Sequence, residues 1–505
     1  MNYCKRALLT ALAVLVMSAA SSQNITFTQG DKGNGKAYQP TLIKIDKADA
    51  DGLYYSVEPD LNAFSKVKGV LVREVDVNYK ETRSVAIPNT KSNGIMRASR
   101  DGSHMHVVVS SIEKKTVVLR HVSVDLNTFT IEKDEVLLER AIDKKEFFYH
   151  WTAASGNGNF GIVYAVVNEK TNDADVQAML FDRSMNKLWA HSLDVNALSQ
   201  IFVTDDGRIA TCGYSNGEDK TDGAMLEFAI ADGLGTQRGH HTSVYKLGEM
   251  AVLNVFGDKV LATALETDRG TGWAGSFTAG SVITTGTVYT GCAVYLFDVA
   301  APKMLNADRH LFSKEDARVF YNASLVSEIA SPDVNFLSLR AKVATPAGGA
   351  VLYGRTWFEK VVNAKNAMSQ STYYYKGMML VNADSTGHIA WMKPLMHDNF
   401  LNGDFAEYTE TDMVAEGGDI YIVTNESRND GDTYDPHSAA KRAVMMGHGA
   451  VSAYRFGADG SVAKRKLTDS GISVIMTSLR RQAPGLYTFI SGSRKGCISE
   501  IRIGK

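Results

Sequence analysis

Cysteine is scarce in this chain, with 4 in 505 residues, and one of those, Cys4, lies in the N-terminal leader described below. Cys212, Cys292 and Cys497 remain, an odd number spread over a long sequence. That excludes a disulfide scaffold and leaves stability to packing, with the three thiols expected as small buried apolar groups. Charge of one sign is lacking as well: 54 Lys and Arg stand against 56 Asp and Glu, a formal net charge of −2. A nucleic-acid protein needs a basic stripe for phosphate contacts, so that class of partner is excluded. No apolar run approaches the ~18 residues of a membrane span, so no transmembrane helix is expected. With 44% hydrophobic and 22% charged residues the chain is neither disordered nor collagen-like.

The first 22 residues combine Lys5 and Arg6, an apolar run from Ala7 to Met17, and small residues from Ser18 to Ser22. This is the pattern of a secretory signal peptide, too short in its apolar part to anchor in a bilayer. The expected organisation is therefore a signal peptide over 1–22 and a single domain over 23–505, exported to a bacterial periplasm, cell surface or medium.

What the sequence does contain is short alternating or apolar runs ending in Gly, Asp or Asn, such as LYYSV, MHVVVSS, IVYAVV and IYIVTNE. These read as strands of four to eight residues, so the class is all-β. One element recurs, a strand running into Asp and a turn: Asp76, Asp125, Asp182, Asp232, Asp298, Asp384 and Asp459, spaced by 49, 57, 50, 66, 86 and 75 residues. Aspartate suits the place because its carboxylate caps the backbone amides of a tight turn, which makes these seven turn residues rather than catalysts. Further strands upstream of each copy give four antiparallel strands per unit. An eighth copy ends at Lys505 before its Asp, and an orphan strand, residues 24–29, stands at the start of the mature chain. The succession matches the blades of a β-propeller, eight in number, or seven if residues 40–88 are irregular, with the N-terminal strand completing the last blade and closing the ring.

Two copies carry a Trp after the turn, Asp182 to Trp189 and Asp384 to Trp391. These resemble the repeats of the quinoprotein-like eight-bladed propellers, in which the Trp docks between blades. The resemblance covers about 30 residues. The chain departs from that family in having no vicinal cysteine pair, and its cofactor and calcium ligands have no counterpart residue by residue. The resemblance therefore implies the fold and not the dehydrogenase activity, and no cofactor is assigned.

Other motifs lack their context. Gly156 to Gly161 fits GxGxxG but leads into a strand instead of a helix, so it reads as a hairpin turn. Gly213 to Gly217 fits GxSxG but is followed by a polar turn. His104 and His106 share a strand face without an identifiable third ligand, and the run from Asn429 to Asp435 lacks the terminal Glu of a calcium loop. No metal site and no catalytic set is assigned. The sequons at Asn24, Asn322 and Asn425 matter only in a host that glycosylates exported proteins.

The uneven spacing carries the functional signal. The surplus falls between the second and third strands of three consecutive units, as loop insertions at 268–290, 359–376 and 428–447. Long loops in compact domains are usually functional, and on a propeller these three share one face. They and their approaches carry Trp273, Phe277, Tyr289, Trp357, Tyr374, Tyr434 and His437, expected as an aromatic crown for a protein, peptide or glycan, or else as a small core beneath the loops. Residues 313–329 are the best helix candidate, with Ser313 as cap and Asp316 three residues on, expected on the same face. The reading is a monomeric binding or scaffolding module. Its alternatives are an enzyme with its site in the central channel, where Arg97, His150 and Asp205 are candidates, and an envelope-assembly factor.

Overall fold

The computed structural model describes residues 25–28, 44–47, 53–61, 67–88, 94–113, 115–171, 173–217, 222–267, 288–321, 323, 325–329, 331–332, 334–335, 337–345, 349–362, 370–396, 399–402, 412–427, 433–435, 449–468, 474–491 and 497–504. Their strands form eight antiparallel sheets of four strands or more, in chain order, and one small two-stranded sheet. We number the eight by position: sheet 1 (44–88), sheet 2 (95–141), sheet 3 (146–192), sheet 4 (200–243), sheet 5 (246–311), sheet 6 (337–402), sheet 7 (412–468) and sheet 8 (474–503). The first unit is complete, with strands Lys44–Lys47, Leu53–Leu61, Val67–Asp76 and Glu81–Pro88. Sheet 8 takes its fourth strand from the other end of the chain: Ile25–Thr28 pairs with Cys497–Ile503.

Position within a sheet explains composition. The second strand of sheet 3, Phe160–Asn168, is buried at every residue but the last, because neighbouring sheets cover both of its faces. Such strands read as continuous apolar runs. The fourth strand of sheet 2, Thr130–Ala141, has only exposed and half-buried residues, as expected of an outer edge.

Core clusters join successive sheets. Val57 and Val72 of sheet 1 meet Val107 and Val122 of sheet 2, Leu226 and Phe228 of sheet 4 meet Ala262 and Phe297 of sheet 5, and Tyr421 and Val451 of sheet 7 meet Phe489 and Ile501 of sheet 8. Sheet 8 in turn touches sheet 1, where the Ile498 amide donates to the Val77 carbonyl at 3.0 Å and the Tyr54 hydroxyl donates to Glu500 at 3.3 Å.

All seven repeat aspartates cap their turns. Asp76 Oδ1 accepts the amides of Asn78 and Lys80, Asp182 Oδ1 that of Asn186, and Asp384 Oδ1 those of Thr386 and His388. Asp125, Asp232, Asp298 and Asp459 do the same for Asn127, Leu234, Ala301 and Ser461. The third residue after the aspartate turns left-handed in three copies, Tyr79 (φ 60°), Met185 (φ 65°) and Gly387 (φ 83°), and the strands bulge beside it. That geometry matches the twist of the flanking strands.

Candidate functional site

The lengthened connections leave from one end of their sheets. In sheet 5, Glu266 at the end of the second strand pairs with Gly291 at the start of the third, which pairs with Leu311 at the end of the fourth. The insertion after the second strand and the connection after the fourth thus emerge together. Val288–Tyr289 returns from this insertion and pairs with Val334–Asn335 of the next connection.

In sheet 6 the surplus is built into strands rather than standing as a loop over 359–376. The hairpin of Ala350–Val362 and Gln370–Ala383 stays paired out to Val362 and Gln370, with one bulge between Arg355 and Trp357, well beyond the pairing of Met378 with Leu395 where the fourth strand ends. Asn399–Asn402 then pairs with residues 372–375 along the free edge of that extension. The Thr and Tyr residues at 372–375 favour strand over loop. In sheet 7 the insertion opens after Ser427, opposite Gly449.

A short helix, α1 (Lys314–Phe320), fastens this end. Ser313 caps it in a reciprocal box with Asp316, as the sequence predicts, although the helix stops at Phe320 and only a single 3₁₀ turn, Val326–Glu328, follows. Burial pushes the Asp316 carboxyl up, but hydrogen bonds from His310 and Ser313 outweigh it and hold the group below its ordinary range. Ala317 and Phe320 enter the core between sheets 5 and 6. The helix end lies on Gly377 of sheet 6, where a Cβ would fall 2.4 Å from the Val319 carbonyl oxygen. Arg318 is buried, donating to Glu315 at 2.5 Å and reaching Met396 Sδ at 3.9 Å. Tyr434, from the sheet 7 insertion, donates to the Pro394 carbonyl at 3.2 Å and packs edge-on against Tyr454 with ring centres 6.4 Å apart. The helix and Tyr434 of the sheet 7 insertion therefore both pack on the same end of sheet 6.

Buried glutamates close the second strands. Glu266 holds Arg309, whose guanidinium lies 3.5 Å from the centre of the Tyr245 ring. Glu426 holds Lys464 at 2.7 Å and accepts from the Tyr454 hydroxyl. In sheet 1, Glu58, within its second strand, likewise holds Arg73 of the third strand at 2.7 Å and accepts from the Tyr79 hydroxyl at 2.8 Å. Burial pushes the Glu266 carboxyl up and Arg309 opposes it. Burial, with Glu266 nearby, also pushes the Cys292 thiol up to about 12, which disfavours its thiolate form. At the surface of the same end stand Val244 (76% exposed), Leu311, Leu325 (60%) and Val326.

The predicted aromatic crown divides. Tyr289, 1% exposed, is part of the core between sheets 5 and 6 and not an exposed contact, because its strand pairing draws it inward. Tyr434 is half-buried against the core cluster between sheets 6 and 7. Trp357 and Tyr374 lie on the extended hairpin, Trp357 paired with Tyr375 and Phe358 with Tyr374. Trp273, Phe277 and His437 lie outside the described residues. Glu266, Glu426 and the exposed Val244, Leu311 and Leu325 escaped the sequence reading. The signal for the glutamates was a lone acid ending an apolar strand just before an insertion.

The remaining motifs resolve as structure. Gly156 to Gly161 is the hairpin turn of sheet 3, where Gly158 has φ 96° and a Cβ on Gly161 would meet Val203 of sheet 4 at 2.7 Å. Gly213 lies in the strand Ile209–Asn216. His104 and His106 do not converge on a common ligand: His104 pairs with Glu132 at 2.8 Å, and His106 bonds His121 at 3.0 Å. Among the described residues no three His, Cys, Asp or Glu side chains are placed to hold a metal ion, and the cysteines described, 212, 292 and 497, are buried and form no disulfide. Asn425 is buried, which closes that sequon to modification. Both repeat tryptophans dock on the next sheet, Trp189 donating to the Gly207 carbonyl at 3.0 Å and Trp391 to that of Ala458 at 3.1 Å.

Successive four-stranded antiparallel sheets, each packed face to face on the next, with capping aspartates at their turns, define a β-propeller protein. No protein-family model and no curated protein matches the sequence. Among solved structures the chain is similar to the β-propeller domain of the trilobed protease from Pyrococcus furiosus, at 11% identity over 86% of this chain and 97% of that one, with a TM-score of 0.31. It is also similar to Sqt1 of Chaetomium thermophilum bound to the N-terminus of a ribosomal protein, at 8% identity over 94% and 100%, with a TM-score of 0.39. Nothing in these comparisons singles out the quinoprotein-like propellers, so the resemblance extends to propellers at large.

Proposed function

We propose that the protein is an exported, single-domain, eight-bladed propeller that binds a protein, peptide or glycan through the insertion-bearing end of sheets 5 to 7. The observation that carries this reading is convergence. Extra chain length leaves the same end of three consecutive sheets, and exposed Val244, Leu311, Leu325 and Val326 stand at that end. Exposed apolar groups gathered at one place mark recognition surfaces. Closure of the ring is supported by the pairing of Ile25–Thr28 with Cys497–Ile503 and by the contacts of sheet 8 with sheet 1. Export is supported by the leader pattern of residues 1–22.

The test is binding of purified protein to glycan and peptide arrays. A variant lacking 269–286, which spares Val288 and Tyr289, and a triple V244S/L311S/L325S variant are each expected to lose at least about tenfold in affinity, about 1.4 kcal/mol, with little change in Tm. A wild type that binds neither array, or variants that bind as it does, would overturn the reading. Fractionation of cells and sequencing of the mature N-terminus test export.

A further inference from the structure

Arg97, on the first strand of sheet 2 (Ile95–Asp101), is 7% exposed, yet among the described residues no carboxylate lies within ion-pair distance of it. Its Nε donates to Ser99 Oγ at 3.0 Å, its Nη2 donates to the Gly158 carbonyl of sheet 3 at 2.6 Å, and its plane covers Phe160 at 4.6 Å. These contacts clamp sheet 2 to sheet 3. They leave the buried Nη1 without a hydrogen-bond partner among the described residues. A buried cation normally has a counter-charge, and an orphaned buried donor is destabilising, the more so when it is charged.

Two imidazoles face the same space. Ser99, which accepts from Arg97, pairs with His106 across the strands, and the Arg97 charge acts on both imidazoles. His106 is 6% exposed and His121 wholly buried, with Nδ1 of the first 3.0 Å from Nε2 of the second. His121 Nδ1 lies 3.0 Å from Glu135 Oε1. The carboxylate only accepts, so His121 donates from Nδ1 and accepts at Nε2, and His106 must donate from Nδ1. The neutral chain therefore leaves His106 Nε2 as a bare lone pair, and it has no hydrogen-bond partner among the described residues. The groups acting on His106 are His121, Asp101, His104 and Arg97; those acting on His121 are Glu135, Lys133 and Arg97.

We infer that Arg97 and His106, with His121 behind, form a site between sheets 2 and 3 for a small oxyanion. Arg97 Nη1 donates to the anion, and His106 takes one proton from solvent at Nε2 and becomes a second donor. His121 passes the new charge to Glu135 through hydrogen bonds that are already made. The oxyanion supplies a counter-charge at ion-pair distance, which none of the described carboxylates does. Asp182 acts on Arg97 from beyond ion-pair distance and Arg183 opposes it, and the clamp between sheets accounts for Nε and Nη2 but not for the orphaned Nη1.

The test uses the whole mature protein with sodium sulfate, phosphate or acetate against chloride at constant ionic strength, read by thermal unfolding and by ¹⁵N spectra of the histidines. Sulfate keeps its charge across the range, so its pH dependence reports the protein. A dose-dependent rise in Tm of about 2 °C or more is expected, larger at about pH 6 than pH 8, with the His106 Nε2 resonance moving to its protonated position. Preference among the three ions separates phosphate or sulfate from carboxylate ligands. Arg97→Met is expected to abolish the response and Arg97→Lys to keep part of it. No response to any of the three ions, or an unchanged response in Arg97→Met, overturns the site and leaves water as the partner of Nη1. Should Arg97→Met not fold, the wild-type ¹⁵N titration decides by itself.

Discussion

Ile25, near the start of the chain, pairs in register with Ile503, near its end, and both are buried in the cluster that joins sheets 7 and 8. One sheet thus holds both ends of the described chain. Ile25→Ala removes most of a buried side chain from a sheet edge and is expected to cost about 2–4 kcal/mol in denaturant unfolding. Deleting residues 24–28 leaves Cys497–Ile503 as an open edge, and concentration-dependent association by light scattering is the expected outcome.

Trp189 and Trp391 each donate an indole N–H to a carbonyl of the following sheet. Trp189→Phe and Trp391→Phe keep an aromatic ring and lose that bond, so each is expected to cost about 1 kcal/mol. The sites lie in different pairs of sheets, and the double variant should be additive within about 0.5 kcal/mol. A markedly larger loss would show that the sheets do not respond as local neighbours.

Glu266 is 1% exposed and has Arg309 as its cation. Arg309→Met strands the carboxylate, and a loss of about 3 kcal/mol near pH 8 is expected. Removing the cation raises further a carboxyl that burial already pushes up. The folded state then binds a proton more readily than the unfolded one, so the defect should shrink as pH falls toward the ordinary carboxyl range. Unfolding of wild type and variant at several pH values measures this.

Burial, then the neighbouring His121, pushes His106 down to about 4 from an ordinary 6.5. Between those values the unfolded chain holds the proton and the folded chain does not, so stability contributed here is full above pH 6.5 and falls as pH drops toward 4. The expected slope is on the order of 1.4 kcal/mol per pH unit for the one group. His106→Gln should flatten the stability profile in that window in oxyanion-free buffer, while bound oxyanion should flatten it in the wild type.

Much of the fold was legible because it rests on local rules. Asp182 caps its own turn four residues on, and the apolar run at 160–167 is covered on both faces, so each left its mark in neighbouring residues. The Ser313 cap of α1 was legible for the same reason. The site was less so. Tyr289 reads as one more aromatic in a loop, and only its pairing with Val334 turns it into core. The residues after Glu359 read as a loop because no turn signal shows where a hairpin stops lengthening.

The sequence by itself determined the strands, their aspartate turns, the fourfold grouping and the units in which extra length gathers, since period, turn chemistry and spacing are properties of consecutive residues. The tertiary structure alone decided which side chains meet. Glu266 and Arg309, Arg97 and Gly158, His106 and His121, and Tyr434 and Pro394 come from different strands or different sheets. Such contacts depend on strand register and sheet-to-sheet packing, where a shift of one residue turns every side chain to the opposite face.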